Sequence, residues 1–575
     1  MKFLDPSITS AYDSFIWTED SGGLAEKLYA NPPKTMGSLA ERIDDLIRRY
    51  DATNWFDESH FKSLKEGLFQ ANRLVSTLTP EVTENINRLS NGGIEAAHQT
   101  VSMGGPCYIL NKAATSTAIA RFAQSSGHDI TPFFFVAEYD IVQPELTNIR
   151  TPLMGHAGNL ISVPVPEGFE YSPVSALPLP RESDWYDQVE ESVLSNYRPI
   201  FKTLEGYARS LVDERLEQAL KLIRWAYVNS STLSEWSLHI LGRVLNIEGN
   251  LGIPLLPSSA PILRQMMIRG MEYLLSKDVR EVFLRVHEES TNLIRSEGYN
   301  PGMGERNTDF VPFYYECPQK QCHKSRTELQ YQEKAGIVLL SGKCPTCGEE
   351  IQIETSSTNP NLENVRNNLS PRVDTRQMII DMIFPVLAHV GGSGETAYYA
   401  QVIPIANKLE IPFPLYLKYP RVYFNTPWNE NLANELKQKG VTVLHRSEMF
   451  KIMGAVNKSR RKKNTTEMNA ALGEFEKILK DTHSTINEEL NTKITKLSTP
   501  EGRKDTDLVN TRLEIERYLS WTFGQYTNEK LGQESTWSWI EWALNAGFPD
   551  LFGAYFRAYV PEMNNGATLF INFSI

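Results

Sequence analysis

A short apolar strand, a glycine-bearing turn, a helix and a second apolar strand follow one another at Ile94–Ala97, MGGP, Ile109–Gln124 and Pro132–Ala137. Antiparallel strands can be joined by a tight turn, whereas a connection through a helix returns the chain in the same direction. The segment is therefore a βαβ unit whose two strands are parallel neighbours. The same alternation resumes at residues 377–424: MIIDMIFPVLAHV, the turn GGSGE, the helix TAYYAQVIPIANKLE, then a strand in PLYLKYPRVYF. One interrupted α/β sheet is the most economical fold for such a chain.

The text between and around these segments reads as inserts. The first ninety residues are mostly helical, with charge and apolar residues alternating in LAERIDDLIRRY and HFKSLKEGLFQANRLV. A third strand is expected at Leu160–Val165, and proline clustering in VPVPEGFEYSPVSALPLP marks a boundary near residue 180. Residues 185–295 are helical and residues 296–357 are short strands carrying four cysteines. Beyond residue 450 a basic run, Lys458–Lys463, read as a solvated helix face, precedes a long helix. Its apolar positions Met468, Leu472, Phe475, Leu479, Ile486, Leu490, Ile494 and Leu497 approach a coiled-coil seam. A loop at TPEGRKD allows a second helix to fold back as an α-helical hairpin. The expected division is 1–184 (core, first part), 185–295 (helical connecting insert), 296–357 (cysteine module), 358–450 (core, second part) and 451–575 (C-terminal coiled-coil domain).

Composition excludes several classes. With 41% hydrophobic and 22% charged residues the chain can bury a core, which rules out wholesale disorder. The net charge of −12 argues against a global nucleic-acid or anionic-membrane binder. No apolar run approaches the ~18 residues of a membrane span, and MKFLDPSITSAYDSF lacks the apolar stretch of a signal peptide. Five cysteines in 575 residues are too few for a disulfide scaffold, so a reducing cytoplasm is expected.

Four of those cysteines form two knuckles, Cys317-x4-Cys322 and Cys344-x2-Cys347, with 21 residues between them. Each tight turn can present two thiolates to one tetrahedral ion, and four thiolates make a closed structural zinc site, as in a zinc ribbon. His323 is an alternative ligand to Cys322. The site is read as a strut for a module too small to have its own core.

Ligands of open α/β sheets bind beyond the carboxyl ends of the strands, and three segments are expected there. The first runs from His98 and Gln99 through Gly104, Gly105 and Tyr108 to Lys112; a glycine pair before a helix lets backbone N–H groups approach an anion, and Lys112 adds charge. The second holds Glu138 and Asp140. The third is Gly391, Gly392, Gly394 and Glu395. Each is weak alone; together they predict a cleft for a phosphate-bearing ligand.

AAHQTVSMGGPCYILNKA and PFFFVAEYD resemble the bacillithiol synthase family (BshC, a cysteine ligase), whose segments run like TGQQAGLLTGPLYTIYKA and FWIAAEDHD. GYNP at 298–301, Leu369-Ser370-Pro371, Arg376, Asp381, Pro385 and VGGSGETAYYAQ are also similar to that family's blocks, as are Tyr419-Pro420-Arg421 and the C-terminal QESTWSWIEWALNAGFPDLFGAYF. The resemblance implies a Rossmann-like, nucleotidyltransferase-type core, a helical insert and a dimer formed through the C-terminal coiled coil. It further implies a reaction that joins the carboxyl group of L-cysteine to the amine of glucosaminyl malate or a similar amino-sugar conjugate, with ATP or another nucleotide as the activating cosubstrate. In that reading His98, Glu138, Asp140 and Lys112 are the catalytic candidates. Gln99, Gly104, Gly105, Tyr108, Gly391, Gly392, Gly394, Glu395, Tyr398 and Arg421 are the substrate- or nucleotide-binding candidates.

The chain also departs from the family pattern. GQQ becomes Ala97-His98-Gln99, EDHD becomes Glu138-Tyr139-Asp140-Ile141, and the cysteine knuckles follow GYNP where the bacterial pattern has none. His98 is either an imidazole acting on phosphate or a structural histidine. A changed substrate, or a non-catalytic ligand-binding member with a zinc-ribbon partner surface, are the alternatives these departures raise. Cys107 is read as a small buried hydrophobe, His156 as a loop residue, His389 as a core residue, and Trp537, Trp539 and Trp542 as packing the C-terminal helices.

Overall fold

The computed structural model describes residues 7–17, 23–151, 159–182, 184–201, 204–425, scattered positions from 427 to 499, 534–535 and 537–573. Helices α1 (Thr9–Trp17), α2 (Leu24–Leu28), α3 (Ile43–Thr53), α4 (Glu58–Leu74) and α5 (Pro80–Arg88) lead into strand β1 (Gly93–Gln99), helix α6 (Tyr108–Ser125) and strand β2 (Thr131–Ala137). A one-turn helix α7 (Pro144–Thr147) and the strands β3 (Asn148–Thr151) and β4 (Asn159–Ser162) follow. Helices α8 (Trp185–Phe201), α9 (Gly206–Val228) and α10 (Leu233–Gly242), strand β5 (Leu255–Pro257), and helices α11 (Pro261–Leu275) and α12 (Lys277–Ser296) come next. The cysteine region holds β6 (Phe313–Glu316), β7 (Arg326–Glu328), β8 (Gln330–Lys334), β9 (Ile337–Lys343) and β10 (Glu350–Ser356), and β11 (Leu369–Pro371) follows it. The chain continues through α13 (Arg376–Asp381), β12 (Val386–Gly391), α14 (Ser393–Lys408), β13 (Leu415–Lys418) and β14 (Arg421–Asn425). Its last elements are α15 (Trp539–Ala546), α16 (Gly553–Ala558) and β15 (Thr568–Asn572).

The core is a five-stranded sheet in the order β13-β12-β1-β2-β5, with every pairing parallel. β2, TPFFFVA, is buried along its whole length, as expected for a strand covered on both faces. Each of its phenylalanines contributes roughly 1.5–3 kcal/mol of burial. α6 crosses from β1 to β2 and is buried continuously from Ile109 to Ala120. Its alanines, serines and threonines allow close approach to the sheet. Helix starts follow local chemistry: Asp57 accepts from the His60 N–H at 2.7 Å, and Thr79 caps α5 ahead of Pro80.

From β1 the chain adds β2 and β5 on one side, then returns to add β12 and β13 on the other. The carboxyl ends of β1 and β12 therefore flank the point where the winding reverses, the crevice in which such sheets bind ligands. This is the mixed α/β, Rossmann-like architecture the alternation predicts.

Two details differ from the sequence reading. The strand expected at Leu160–Val165 is β4, Asn159–Ser162, which pairs antiparallel with β3 outside the core sheet. The 185–295 stretch is not wholly helical, because Leu255–Pro257 forms the edge strand of the core sheet. A strand of three residues is too short to register as a periodic pattern. The C-terminal segment returns to the core through a parallel β14–β15 pair. The proposed coiled-coil hairpin and its seam lie largely outside the described residues. Among the described residues, no helix is long and apolar enough to cross a membrane.

Candidate functional site

A cleft of about 850 Å³ opens at the switch point, lined from the carboxyl ends of β1 and β2 and from the turn that follows β12. His98 and Gln99 reach it from β1, Tyr108 and Lys112 from the first turns of α6, and Asp140 from the segment after β2. Gly392, Gly394 and Glu395 line it from the start of α14, together with Tyr398, and Arg421 does so from β14. The three separate sequence segments thus converge on one cavity.

Lys112 is 2% exposed, and its Nζ donates to Glu395 Oε1 at 2.6 Å and to the Ala97 carbonyl at 3.0 Å. Burial alone would raise the Glu395 pKa, but the Lys112 ammonium and its hydrogen bond hold this carboxyl well below the usual carboxylate range. The other carboxylate oxygen of Glu395 accepts from the Gly392 N–H at 3.1 Å, so this third helical residue reaches back to satisfy the N-cap N–H of α14. The amino end of this 16-residue helix therefore faces the cleft with its partial positive charge. The rings of Tyr108 and Tyr419 stack at 6.3 Å, with the Lys112 ammonium 5.7 and 5.9 Å from their centres.

His98 Nδ1 lies 2.8 Å from the Gln99 carbonyl. A carbonyl can only accept, so Nδ1 carries the proton and Nε2 accepts from the Tyr108 hydroxyl. Burial, followed by the nearby Lys112 charge, pushes the imidazole pKa down to about 4, so His98 is neutral at physiological pH.

Four candidates stand apart from the cavity. Glu138 is 2% exposed and does not line the cleft: its carboxylate accepts from the Ser259 N–H at 2.9 Å, and burial raises its pKa. Gly104 and Gly105 have φ of +80° and +87°, and a Cβ on Gly104 would lie 2.5 Å from Ile240 Cγ2. They form a packing turn rather than a cavity wall. Gly391 packs likewise: a Cβ there would meet the Tyr416 ring at 2.6 Å.

Other cleft groups are not among the site candidates, although Arg376 lies in a family-like block. Arg376 lines the cleft from α13 while its guanidinium donates to Glu95 at 3.3 Å and to the Tyr399 hydroxyl at 3.2 Å. Glu95 is fully buried in β1, and His389 Nδ1, opposite it in β12, lies 2.8 Å from its other oxygen. Burial works against the Glu95 anion, but the charges of His389 and Arg376 outweigh it and hold the pKa low. His389 is thus a core residue, as expected, yet one that anchors a cleft arginine. The Tyr139 hydroxyl, on a cleft residue only 3% exposed, has no hydrogen-bond partner among the described residues.

The C-terminal segment also reaches the site. Glu534 lines the cleft, accepts from Asn111 Nδ2 at 2.9 Å and from the Val422 N–H at 2.7 Å, and has its pKa pushed up to about 8 by burial. Trp539 and Trp542 pack among the C-terminal helices, Trp539 edge-on to Phe548 at 6.3 Å and Trp542 stacked on Tyr555 at 4.1 Å, and Trp539 in addition donates to the Met103 carbonyl at 2.8 Å on the turn after β1. Cys107 is buried with a raised pKa, as a small hydrophobe would be. His156 lies outside the described residues.

Cys317, Cys322, Cys344 and Cys347 place their sulfurs within 4.8 Å of one another, the Cys317–Cys347 pair at 4.0 Å. Thiolates about 2.3 Å from a central tetrahedral zinc would be about 3.8 Å apart, so the set can hold one metal ion and is compatible with structural zinc. His323 is not part of the cluster; its ring stacks on Phe169 at 3.8 Å.

A parallel sheet with a charged, aromatic-lined cleft at its switch point defines a Rossmann-like α/β protein. The chain belongs to the BshC family: residues 15–421 match the family model described as "Bacillithiol biosynthesis BshC, N-terminal Rossmann-like domain". It is similar to "Putative cysteine ligase BshC" of Natranaerobius thermophilus, with 23% identity over 60% of this chain and 57% of the relative. It is also similar to the proteins of that name from Carboxydothermus hydrogenoformans, at 20% identity over 59% and 57%, and from Bacillus cereus strain B4264, at 24% over 56% and 53%. The chain thus spans rather more than half the length of these curated relatives.

Proposed function

We propose that this chain is a ligase of bacillithiol-type thiol biosynthesis that joins the carboxyl group of L-cysteine to the amine of glucosaminyl malate or a similar amino-sugar conjugate. The observation that carries the reading is the convergence, in a BshC-family Rossmann-like domain, of Lys112, Glu395 and the amino end of α14 on one cleft. Amide formation from a carboxylate requires an activated acyl group, and ATP is the activating cosubstrate in this reading. The α14 amino end, Lys112 and Arg421 would stabilise phosphate charge. Neutral His98, which holds the Tyr108 hydroxyl, would orient the phenol toward the ligand. Asp140 is the carboxylate placed to receive or orient the amine, whereas Glu138 would act indirectly, by fixing the segment that carries Tyr139 and Asp140. Zinc on the four cysteines is structural, the enzyme is cytoplasmic, and the C-terminal coiled coil makes a homodimer.

A second reading, a ligase with a changed substrate, is favoured by one observation. In the segment aligned with the family's EDHD, Glu138 points to Ser259, and a Tyr139 hydroxyl without a partner among the described residues stands at the cleft instead. One experiment separates the two: expression in a bacterium that makes glucosaminyl malate but lacks its own ligase, with thiols labelled and weighed. A known family ligase runs alongside as control. The cysteinyl conjugate supports the first reading and a thiol of another mass the second. No new thiol, with the control working, leaves a ligand-binding protein without ligase activity.

A further inference from the structure

We propose that the four-cysteine centre is a metal site that positions one wall of the cleft, through Arg326 and the loop 169–175, and is more than a strut for its own module. The chain of contacts is continuous. Cys322 accepts at its carbonyl from the Ser325 N–H at 2.8 Å, and the Ser325 carbonyl accepts from the Cys317 N–H at 2.9 Å, so both sulfurs of this knuckle sit on one closed turn. Arg326 follows immediately. Its N–H donates to the Tyr171 carbonyl at 2.8 Å, and its guanidinium lies 3.9 Å from Asp140 and 5.5 Å from the centre of the Tyr139 ring. Ser370 and the Pro371 carbonyl hold the rest of that guanidinium, at 3.1 and 3.3 Å.

The loop makes the second connection. Phe169 stacks on His323, next to Cys322, at 3.8 Å. Farther along, Val174 and Ser175 donate their N–H groups to the carbonyls of Asp140 and Glu138 at 2.9 and 3.1 Å, and the Ser172 carbonyl accepts from Val142 at 2.9 Å. Residues 138–142, which follow β2 and carry the cleft residues Tyr139 and Asp140, are therefore bonded along a loop that rests on the knuckle. His323 and Lys324 have φ of +49° and +59°, a tight left-handed pair that metal coordination at Cys322 would hold in place. Arg326 is a positioning residue: it is 7% exposed and does not line the cleft.

The inference stands apart from the ligase reading, and its test needs no ligand. Metal content and hydrogen exchange resolved by peptide are measured on the full chain loaded with zinc, on the chain stripped by a chelator, and on zinc-loaded Arg326→Met and Arg326→Lys. The expected result is one zinc per chain and, after stripping, exchange about fivefold faster or more at 138–142 and 169–175 as well as in the cysteine module. Arg326→Met keeps its zinc yet shows the faster exchange at 138–142, and Arg326→Lys, which retains the charge facing Asp140, restores part of the protection. If stripping unfolds the whole chain, the Arg326 variants decide. A chain that retains no zinc overturns the proposal, as does native exchange at 138–142 in Arg326→Met.

Discussion

Lys112 and Glu395 lie 283 positions apart in the chain, yet their side chains meet at 2.6 Å across the mouth of the β1–β12 crevice. The pair joins a buried ammonium to a partly buried carboxylate at the sheet's switch point. Breaking it from one side leaves the other charge uncompensated, the costly case for buried ions. Glu395→Gln should lower unfolding free energy by about 3 kcal/mol in urea titrations, whereas Lys112→Met combined with Glu395→Leu should recover most of the loss. Single and double variants that are equally destabilised would mean the pair is not coupled.

Acid stability follows from the same carboxylate. The Glu395 pKa is depressed in the fold, so its contribution is fully present above the unfolded value of about 4.3 and is lost as pH falls through the folded pKa. Glu395→Gln should therefore flatten the fall in stability below about pH 5. Thermal midpoints recorded from pH 7 downward measure it.

His98 acts in a different window. Its pKa is lowered from about 6.5 in the unfolded chain to about 4, so between those values the unfolded state binds the proton first and stability falls with falling pH. An imidazole resonance that titrates near 4, and a smaller loss between pH 6.5 and 4.5 in His98→Gln, are expected. A midpoint near 6.5 would contradict the buried Tyr108 contact.

The two glycine loops should answer alanine differently. Gly104→Ala places a Cβ 2.5 Å from Ile240 at φ +80°, and should cost about 1–3 kcal/mol with little change in product formed per folded molecule. Gly394→Ala meets no heavy atom within 4 Å, so stability should hold within about 1 kcal/mol while product formation falls. The labelled-thiol assay together with urea unfolding distinguishes them.

Zinc should bind once per chain with four sulfur ligands about 2.3 Å away, read by X-ray absorption. Cys344→Ser should abolish that stoichiometry.

Much of this was legible in the sequence because it is local. The glycine turns before α6 and α14, the buried run of β2 and the cysteine knuckles are each specified within a few residues. Their convergence was legible too, since parallel strands must present their carboxyl ends together. What escaped depends on long-range packing. Nothing in Glu138's own neighbourhood reveals that Ser259, 121 residues away, takes its carboxylate. Gly104 reads like a phosphate turn until Ile240 and Trp539 are packed against it. Glu534 falls within the family-like block QESTWSWIEWALNAGFPDLFGAYF, but nothing local shows that it reaches the cleft, where Asn111 and Val422 hold it.

The return of the C-terminal segment has a consequence for biosynthesis. The Cys107 thiol donates to the Ser538 carbonyl, the Cys107 N–H to the Trp537 carbonyl, and β14 pairs with β15. A ribosome that has already released the βαβ unit has delivered a sheet whose first turn still lacks its cover. Until residues 534–572 emerge, that turn and the neighbouring edge present open backbone and apolar surface, the kind of surface chaperones hold during translation. Completion of the cleft thus waits for a segment translated more than a hundred residues after β14, and a chain that stopped before it would carry the core sheet with an unfinished site.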